Sequence, residues 1–232
     1  MERLQGLGAL PLAAERTVVT VGFFDGVHLG HRAVLGRTVE VARERGLPSV
    51  AVTFDRHPRE VLTPGQEPRL LTTVDRKADL IDETGIDVLL VLEFTPEFSR
   101  WPAEAFITRV LVDGLHAAHC AMGANFTFGH RAAGTVEMLI ETGPEHGFTA
   151  ERVALVEIDG RRVSSSSIRD ALANGDLGWP GVALGRRFVL DGTVVSGAGR
   201  GQGLGYPTAN LRTGPRVLLP GRGIYAGRAF VD

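Results

Sequence analysis

At 232 residues, 44% hydrophobic and 22% charged, the chain is long enough for one large domain or for a medium domain with a smaller companion, and its balance is that of a globular protein. A formal net charge of -2 excludes a nucleic-acid surface built from bulk positive charge, and no apolar run is long enough to cross a bilayer, so neither nucleic acid nor membrane is expected as a partner. The single cysteine, Cys120, excludes an internal disulfide and a cysteine-based zinc site, and Glu2 and Glu15 break any signal-peptide pattern, so a cytoplasmic location is expected.

Short β-branched runs alternate with segments of helical spacing. In chain order, the pattern predicts a strand over Val18–Phe24, a helix over Arg32–Arg45, a strand over Ser49–Phe54, a helix over Val74–Thr84 and a strand over Asp87–Leu92. It continues with a helix over Ala103–Val112 opened by Pro102, a strand over Ala117–Met122, a helix over Thr135–Glu141 and a strand over Val153–Ile158. A last helix, about Ser166–Ala173, is expected to end near Asn174-Gly175. This order predicts an α/β fold with a doubly wound parallel sheet, whose ligands bind beyond the carboxyl ends of the strands where connections switch direction. From about Gly185 the character changes: strands over Arg187–Val195 and Ile224–Val231 flank glycines at 197, 199, 201, 203 and 205. Two domains are expected, 1–185 and a β-rich 186–232. The second is short of what a small barrel needs to close its edges.

Between the first strand and helix lies Asp25-Gly26-Val27-His28-Leu29-Gly30-His31. Glycines at 22, 26 and 30 let the backbone approach a ligand, and free amides at a helix start attract phosphate. His28 and His31, three apart, share one face of a first turn and suit gripping a triphosphate while pyrophosphate departs. The alternatives are surface histidines beside an ordinary turn, or a zinc pair that lacks a third local ligand. Ser164-Ser165 followed by Arg169 sets hydroxyl donors and a cation at a helix start, an anion trap or an ordinary cap with a surface arginine. Asn125, Phe126 and Phe128 follow a strand end, where an amide can read a nucleoside and rings can cover a flat ligand, or where both rings are simply buried on one face. His57 sits beyond another strand end and can equally be a solvated loop residue.

Gly22-Phe-Phe-Asp-Gly-Val-His-Leu-Gly-His31 resembles the signature of the H-x-G-H nucleotidyltransferases in the variant found in bacterial riboflavin kinase/FAD synthetases. Thr53–Pro58 resembles that family's T-F-x-x-H-P, Gly123–Gly129 its G-x-[DN]-F-x-F-G, and Ser164–Arg169 its S-S-T-x-I-R, with Ser166 where threonine is commoner. The resemblance implies transfer of AMP from ATP to FMN, giving FAD and pyrophosphate, with His28 and His31 as the catalytic pair. It implies ATP contacts at Gly22, Phe23, Asp25, Gly26 and Gly30 in the first motif, and at Asn125, Arg161, Ser164, Ser165 and Arg169 further on. Arg162 can trade places with Arg161. FMN contacts are implied at Phe54, His57, Pro58 and Phe128. The FMN phosphate is already ionised at neutral pH, so no enzyme nucleophile is needed, and Mg2+ is expected on phosphate oxygens and water rather than in a protein cage.

In the second module, Gly203–Leu211 resembles the P-T-A-N motif of riboflavin kinases, and Pro220–Ala226 prolongs the resemblance. It implies Thr208 and Asn210 as magnesium ligands of a kinase acting on riboflavin. The chain stops at Asp232, ahead of the segments that supply riboflavin binding and the catalytic glutamate in that family, so this module is expected to be incomplete and unable to phosphorylate riboflavin alone. An unclosed sheet edge would invite association, and an oligomer stays open. Two other readings remain: an H-x-G-H enzyme for another phosphorylated metabolite, and a non-catalytic flavin or nucleotide binder.

Overall fold

The computed structural model describes residues 1–10, 12–206 and 208–231. Pro207 of the P-T-A-N-like segment and the final Asp232 lie outside the described residues.

Among the described residues, twelve strands and eight α-helices follow in order. They are β1 (Glu2–Gln5), β2 (Thr17–Val21), α1 (Leu29–Arg45), β3 (Ser49–Phe54), α2 (Arg59–Leu62), α3 (Val74–Asp82) and β4 (Val88–Leu92). After them come α4 (Ala103–Phe106), β5 (Ala117–Gly123), the short pair β6 (Thr127–Phe128) and β7 (Gly134–Thr135), α5 (Val136–Thr142) and β8 (Thr149–Val153). The chain continues through β9 (Glu157–Ile158), β10 (Arg161–Arg162), α6 (Ser165–Ala173), α7 (Gly178–Leu184), β11 (Gly192–Val195), α8 (Arg200–Gly203) and β12 (Asn210–Thr213).

Six strands form one sheet in the order β1-β4-β3-β2-β5-β8, every pairing parallel. The predicted α/β sheet is present. Alternate residues of its strands face opposite sides. Val19, Val21, Val50, Val52, Leu90 and Leu92 pack on the face covered by α4 and α5, while Ala51 and Leu89 pack against Leu35 and Val39 of α1 and Ile81 of α3. Both faces are dry, which explains why these strands read as continuous apolar runs. The chain builds outward from β2 through β3 to β4, then returns to the other side of β2 as β5. That reversal places a crevice beyond the carboxyl ends of β2 and β5.

Several predicted bounds move. The first strand stops at Val21 rather than Phe24, and α1 begins at Leu29 rather than Arg32, because His28 caps the helix with its own side chain. The helix expected over Ala103–Val112 is α-helical only to Phe106. It continues as a π-helical turn over Ile107–Val112, where Asp113 N and Leu115 N reach back five residues to Thr108 O and Val110 O. The strand expected over Val153–Ile158 is instead β8, ending at Val153. It pairs only with β5, so its outer side is polar and its sequence lacks an apolar run. Glu157–Ile158 and Arg161–Arg162 form a hairpin about Asp159-Gly160, both with positive φ, a turn whose Asp-Gly signal was readable.

The second module departs further. Only Gly192–Val195 of the first expected strand pairs, and its partner is Asn210–Thr213. Ile224–Val231 forms no ladder among the described residues, since no strand lies beside it to accept its backbone bonds. Residues 215–218 instead run beside Leu70. Leu70 N donates to Arg216 O at 2.8 Å and Leu218 N to Leu70 O at 2.7 Å.

Candidate active site

The loop after β2 is a tight turn whose geometry is set residue by residue. Phe24, Gly26 and Val27 have φ of 53°, 80° and 38°. Gly26 is required there both by its φ and because a Cβ would sit 2.7 Å from Leu71 Cδ1. Phe24 and Val27 tolerate the left-handed region because both side chains are buried in the α1–α3 core. Gly26 N donates to Thr72 Oγ1 at 3.1 Å, and Val27 N to Phe24 O at 3.1 Å. The amides of His28, Leu29 and Gly30 find no acceptor among the described residues and open the positive end of α1.

His28 and His31 stack with centroids 3.6 Å apart. His31 N donates to His28 Nδ1 at 3.2 Å, so the His28 proton sits on Nε2. His28 is buried, and burial, then the Arg169 charge, lowers its pKa to about 4. Burial and the neighbouring His28 hold His31 well below the usual histidine range. His31 Nδ1 is buried without a hydrogen-bond partner among the described residues. With both pKa values held this low, the pair is neutral at pH 7.

Asp25 turns inward. Its carboxylate accepts from Leu71 N at 2.9 Å and Thr72 N at 3.1 Å and pairs with Arg169 Nη2 at 2.6 Å, while Arg169 Nε donates to Arg69 O. Ser165 Oγ donates to Asp25 O at 3.0 Å, so α6 is fastened to the turn. Ser164 caps α6: its Oγ accepts from Ser167 N, and Ser167 Oγ accepts from Ser164 N. Arg161 donates to Ser167 O, and its guanidinium lies 4.2 Å from the Trp179 ring.

The second motif joins from β3. Phe23 meets His57 edge-on at 4.8 Å, and Thr53 Oγ1 donates to Phe23 O at 3.1 Å. His57 N donates to Glu60 Oε1 and its Nδ1 accepts from Arg59 N, with Pro58 capping α2. Burial and the Arg169 charge lower the His57 pKa to about 4. Phe54 and Phe128 are both buried in one core, linked through Phe94, Phe98 and Phe106. Phe126 stacks on Phe128 at 5.6 Å, and Asn125 is exposed just past the end of β5. Residues 22–31, 53–58 and 164–169 therefore meet by direct contact at the crevice, and 123–129 meets them through the aromatic row.

Thr208 and Asn210 are elsewhere, on the β11–β12 hairpin. A Cβ at Gly201 would collide with the Thr208 hydroxyl and one at Gly197 with the Asn210 side-chain amide, so these glycines leave room for the two side chains. A hydroxyl and an amide oxygen fit a hard cation. Among the described residues no group of three or more His, Cys, Asp or Glu side chains is arranged around a metal position, and no helix is long and apolar enough to cross a membrane.

Two residues of the site escaped the sequence reading. Lys77 is 3% exposed and donates to Phe23 O, Thr53 Oγ1 and Phe54 O at 3.0–3.1 Å. Burial lowers its pKa to about 8. A signal existed, since Lys77 falls on the same helical stripe as Val74, Ala78 and Ile81, where an apolar residue belongs. Arg186 donates to Gly26 O, Val27 O and Leu184 O, and burial lowers its pKa to about 10. Nothing in its neighbours marked it.

A family model described as FAD synthetase matches residues 11–167, and one described as riboflavin kinase matches residues 184–232. The bifunctional riboflavin kinase/FMN adenylyltransferase of Pseudomonas fluorescens is 39% identical over all of this chain and 74% of its own length, and that of Bacillus subtilis is 35% identical over 94% and 68%. A crystal structure titled as a macrolide-efflux protein from Streptococcus pneumoniae aligns with a TM-score of 0.85 at 28% identity, covering 96% of this chain and 73% of that one. Taken with the four motifs gathered around one crevice, these matches show that the chain belongs to the bifunctional riboflavin kinase/FMN adenylyltransferase family.

Proposed function

We propose that this chain makes FAD by transferring AMP from ATP to FMN at the crevice beyond β2 and β5. The single observation that carries the reading is the stacked, neutral His28–His31 pair beside three unpartnered amides at the start of α1. An oxygen of the FMN phosphate attacks the α-phosphorus of ATP. The bond from that phosphorus to the bridging oxygen breaks, and pyrophosphate leaves with the electron pair. The amides of residues 28–30 and the histidine N–H groups meet the growing charge. Ser164 and Arg161 stand at the other wall as further donors for ATP, and Asn125 as the group beside its nucleoside. Asp25 and Arg169, which the resemblance also assigns to ATP, act by holding the turn and α6 together. Gly22 and Phe23 shape the strand exit, and His57, Pro58, Phe54 and Phe128 form the side that receives FMN.

Magnesium, when bound, neutralises phosphate charge and rests chiefly on phosphate oxygens and water. Residues 1–185 form the transferase domain and 186–232 part of a barrel-type kinase in which Thr208 and Asn210 would hold the ion. The reading also places the protein in the cytoplasm, with no nucleic-acid or membrane partner.

The test supplies purified chain with magnesium and ATP, and FMN or riboflavin in separate reactions, and follows FAD and FMN. FAD from FMN is expected. Absence of FAD overturns the reading. His28→Ala and His31→Ala are each expected to lower kcat by about 100- to 1000-fold with the FMN KM little changed. Equal losses in both would make them residues of substrate binding or structure.

A further inference from the structure

The turn that meets the triphosphate is held from behind with no carbonyl left over. Phe23 O accepts from Lys77 Nζ and Thr53 Oγ1, Phe24 O from Val27 N, and Asp25 O from Ser165 Oγ. Gly26 O and Val27 O accept from Arg186 at 2.7 and 3.2 Å, and His28 O from Arg32 N. Every carbonyl from 23 to 28 is thus taken by the protein, while the amides of 28–30 stay open to a ligand.

The geometry points to Lys77 and Arg186 as positioning residues for the transfer reaction, one buried and one half-buried cation that fix the carbonyls of the phosphate turn and so preset its amides and His28. The inference rests on the adenylyl-transfer reading of this site. Three features support it. First, Phe24 and the β-branched Val27 occupy the left-handed region, a conformation that persists only when surrounding contacts over-determine it. Second, the contacts come from far away in sequence: Lys77 lies on α3, and Arg186 follows α7 at the junction with the second module. Third, every hydrogen-bond partner of the two cations is a carbonyl or hydroxyl oxygen and none is a carboxylate. A buried and a half-buried positive charge, neither hydrogen-bonded to a carboxylate, suit a site whose ligand brings several negative charges.

Lys77 also ties Phe23 O to Phe54 O, joining the exits of β2 and β3 that lead to the two substrate loops. A lysine has three N–H donors, and here all three are used. Deprotonation removes one, so the amine titrating near pH 8 gives this clamp a pH signature. The titratable groups facing it are Asp25 in the turn and Asp55 beyond β3, which favour its charged form, and the neutral His31 of α1. Arg186 is faced by Arg32, Arg76 and Glu83 and keeps its charge throughout that range.

The experiment compares the parent chain with Lys77→Met, Lys77→Arg, Arg186→Met and Arg186→Lys. Steady-state FAD formation and backbone hydrogen exchange are measured for each. Expected are a 10- to 100-fold fall in kcat for both methionine variants, with the FMN KM within threefold, and partial recovery in Arg186→Lys, which supplies one donor group for two carbonyls. In the parent, kcat/KM for ATP falls with a midpoint near pH 8. Lys77→Met lacks that limb and Lys77→Arg carries activity past it, a result that a role in stability alone does not produce. Exchange in peptides spanning 22–31 accelerates in the methionine variants, while β4 and β8 stay protected. Methionine variants that keep kcat within twofold of the parent, with unchanged exchange at 22–31, overturn the inference. Should they unfold, Thr53→Val decides, because it removes one partner of Lys77 while preserving shape. Normal turnover and normal exchange in that variant would then count against the clamp. If the parent itself forms no FAD, the functional reading fails, and exchange at 22–31 still judges the clamp.

Discussion

Two imidazoles stacked 3.6 Å apart inside a helix cap repel when both are charged, and burial disfavours the charge of either. With a folded pKa near 4 against 6.5 unfolded, His28 stays neutral as the unfolded chain takes up a proton. Between those values the unfolded state binds more protons, so stability falls as pH falls from 6.5 toward 4. Each such proton contributes a slope of about 1.4 kcal/mol per pH unit. Urea midpoints of the parent and His28→Gln across pH 7 to 4.5 are expected to converge as pH falls, because the variant lacks this proton. Parallel curves would show that His28 takes up its proton in the folded protein just as it does in the unfolded chain. The two histidines were legible from their spacing. Their neutrality was not, since it follows from burial and from Arg169, which arrives from 138 residues further on.

At the scale of elements, the site depends on how α6 is fastened to the turn after β2. Asp25 supplies a buried carboxylate that joins Leu71, Thr72 and Arg169, and Ser165 adds a bond to the same residue's carbonyl. Removing one partner of a buried ion pair leaves the other uncompensated, which costs about 3–5 kcal/mol. Arg169→Met is expected to lower the unfolding free energy in urea titrations by that measure, and Asp25→Asn/Arg169→Met together to lose less than the sum of the single changes. Additive losses would show that the two do not act as a unit. The capping serines of α6 were readable as a run of four hydroxyl residues ahead of an apolar stripe. That Asp25 faces the protein was not readable, because its partners at 71, 72 and 169 belong to no local pattern.

Across the whole molecule, residues 215–218 lie against 69–71, and Arg216 pairs with Glu60, whose carboxylate also holds His57 N. A chain of contacts thus runs from the second module to the loop placed on the FMN side. The pair is partly exposed, so its loss is expected to cost at most about 1 kcal/mol of stability. Arg216→Ala is expected to raise the FMN KM about three- to tenfold while the ATP KM stays put, as steady-state kinetics would measure. Equal changes in the two constants would disconnect Arg216 from the flavin side.

The sequence by itself determined the alternation of buried strands and helices, hence the parallel sheet, and it determined the four motifs, because apolar period and short phosphate-binding patterns are local properties. Tertiary structure alone decided which side chains face the ligand and which hold the frame. Apart from the Arg186 contact with Leu184, Lys77, Asp25 and Arg186 take their roles from groups 23 to 160 residues away, distances at which no local pattern survives. It likewise left Ile224–Val231 without ladder bonds, since a strand exists only where another offers its edge, and β-branched composition cannot supply that neighbour.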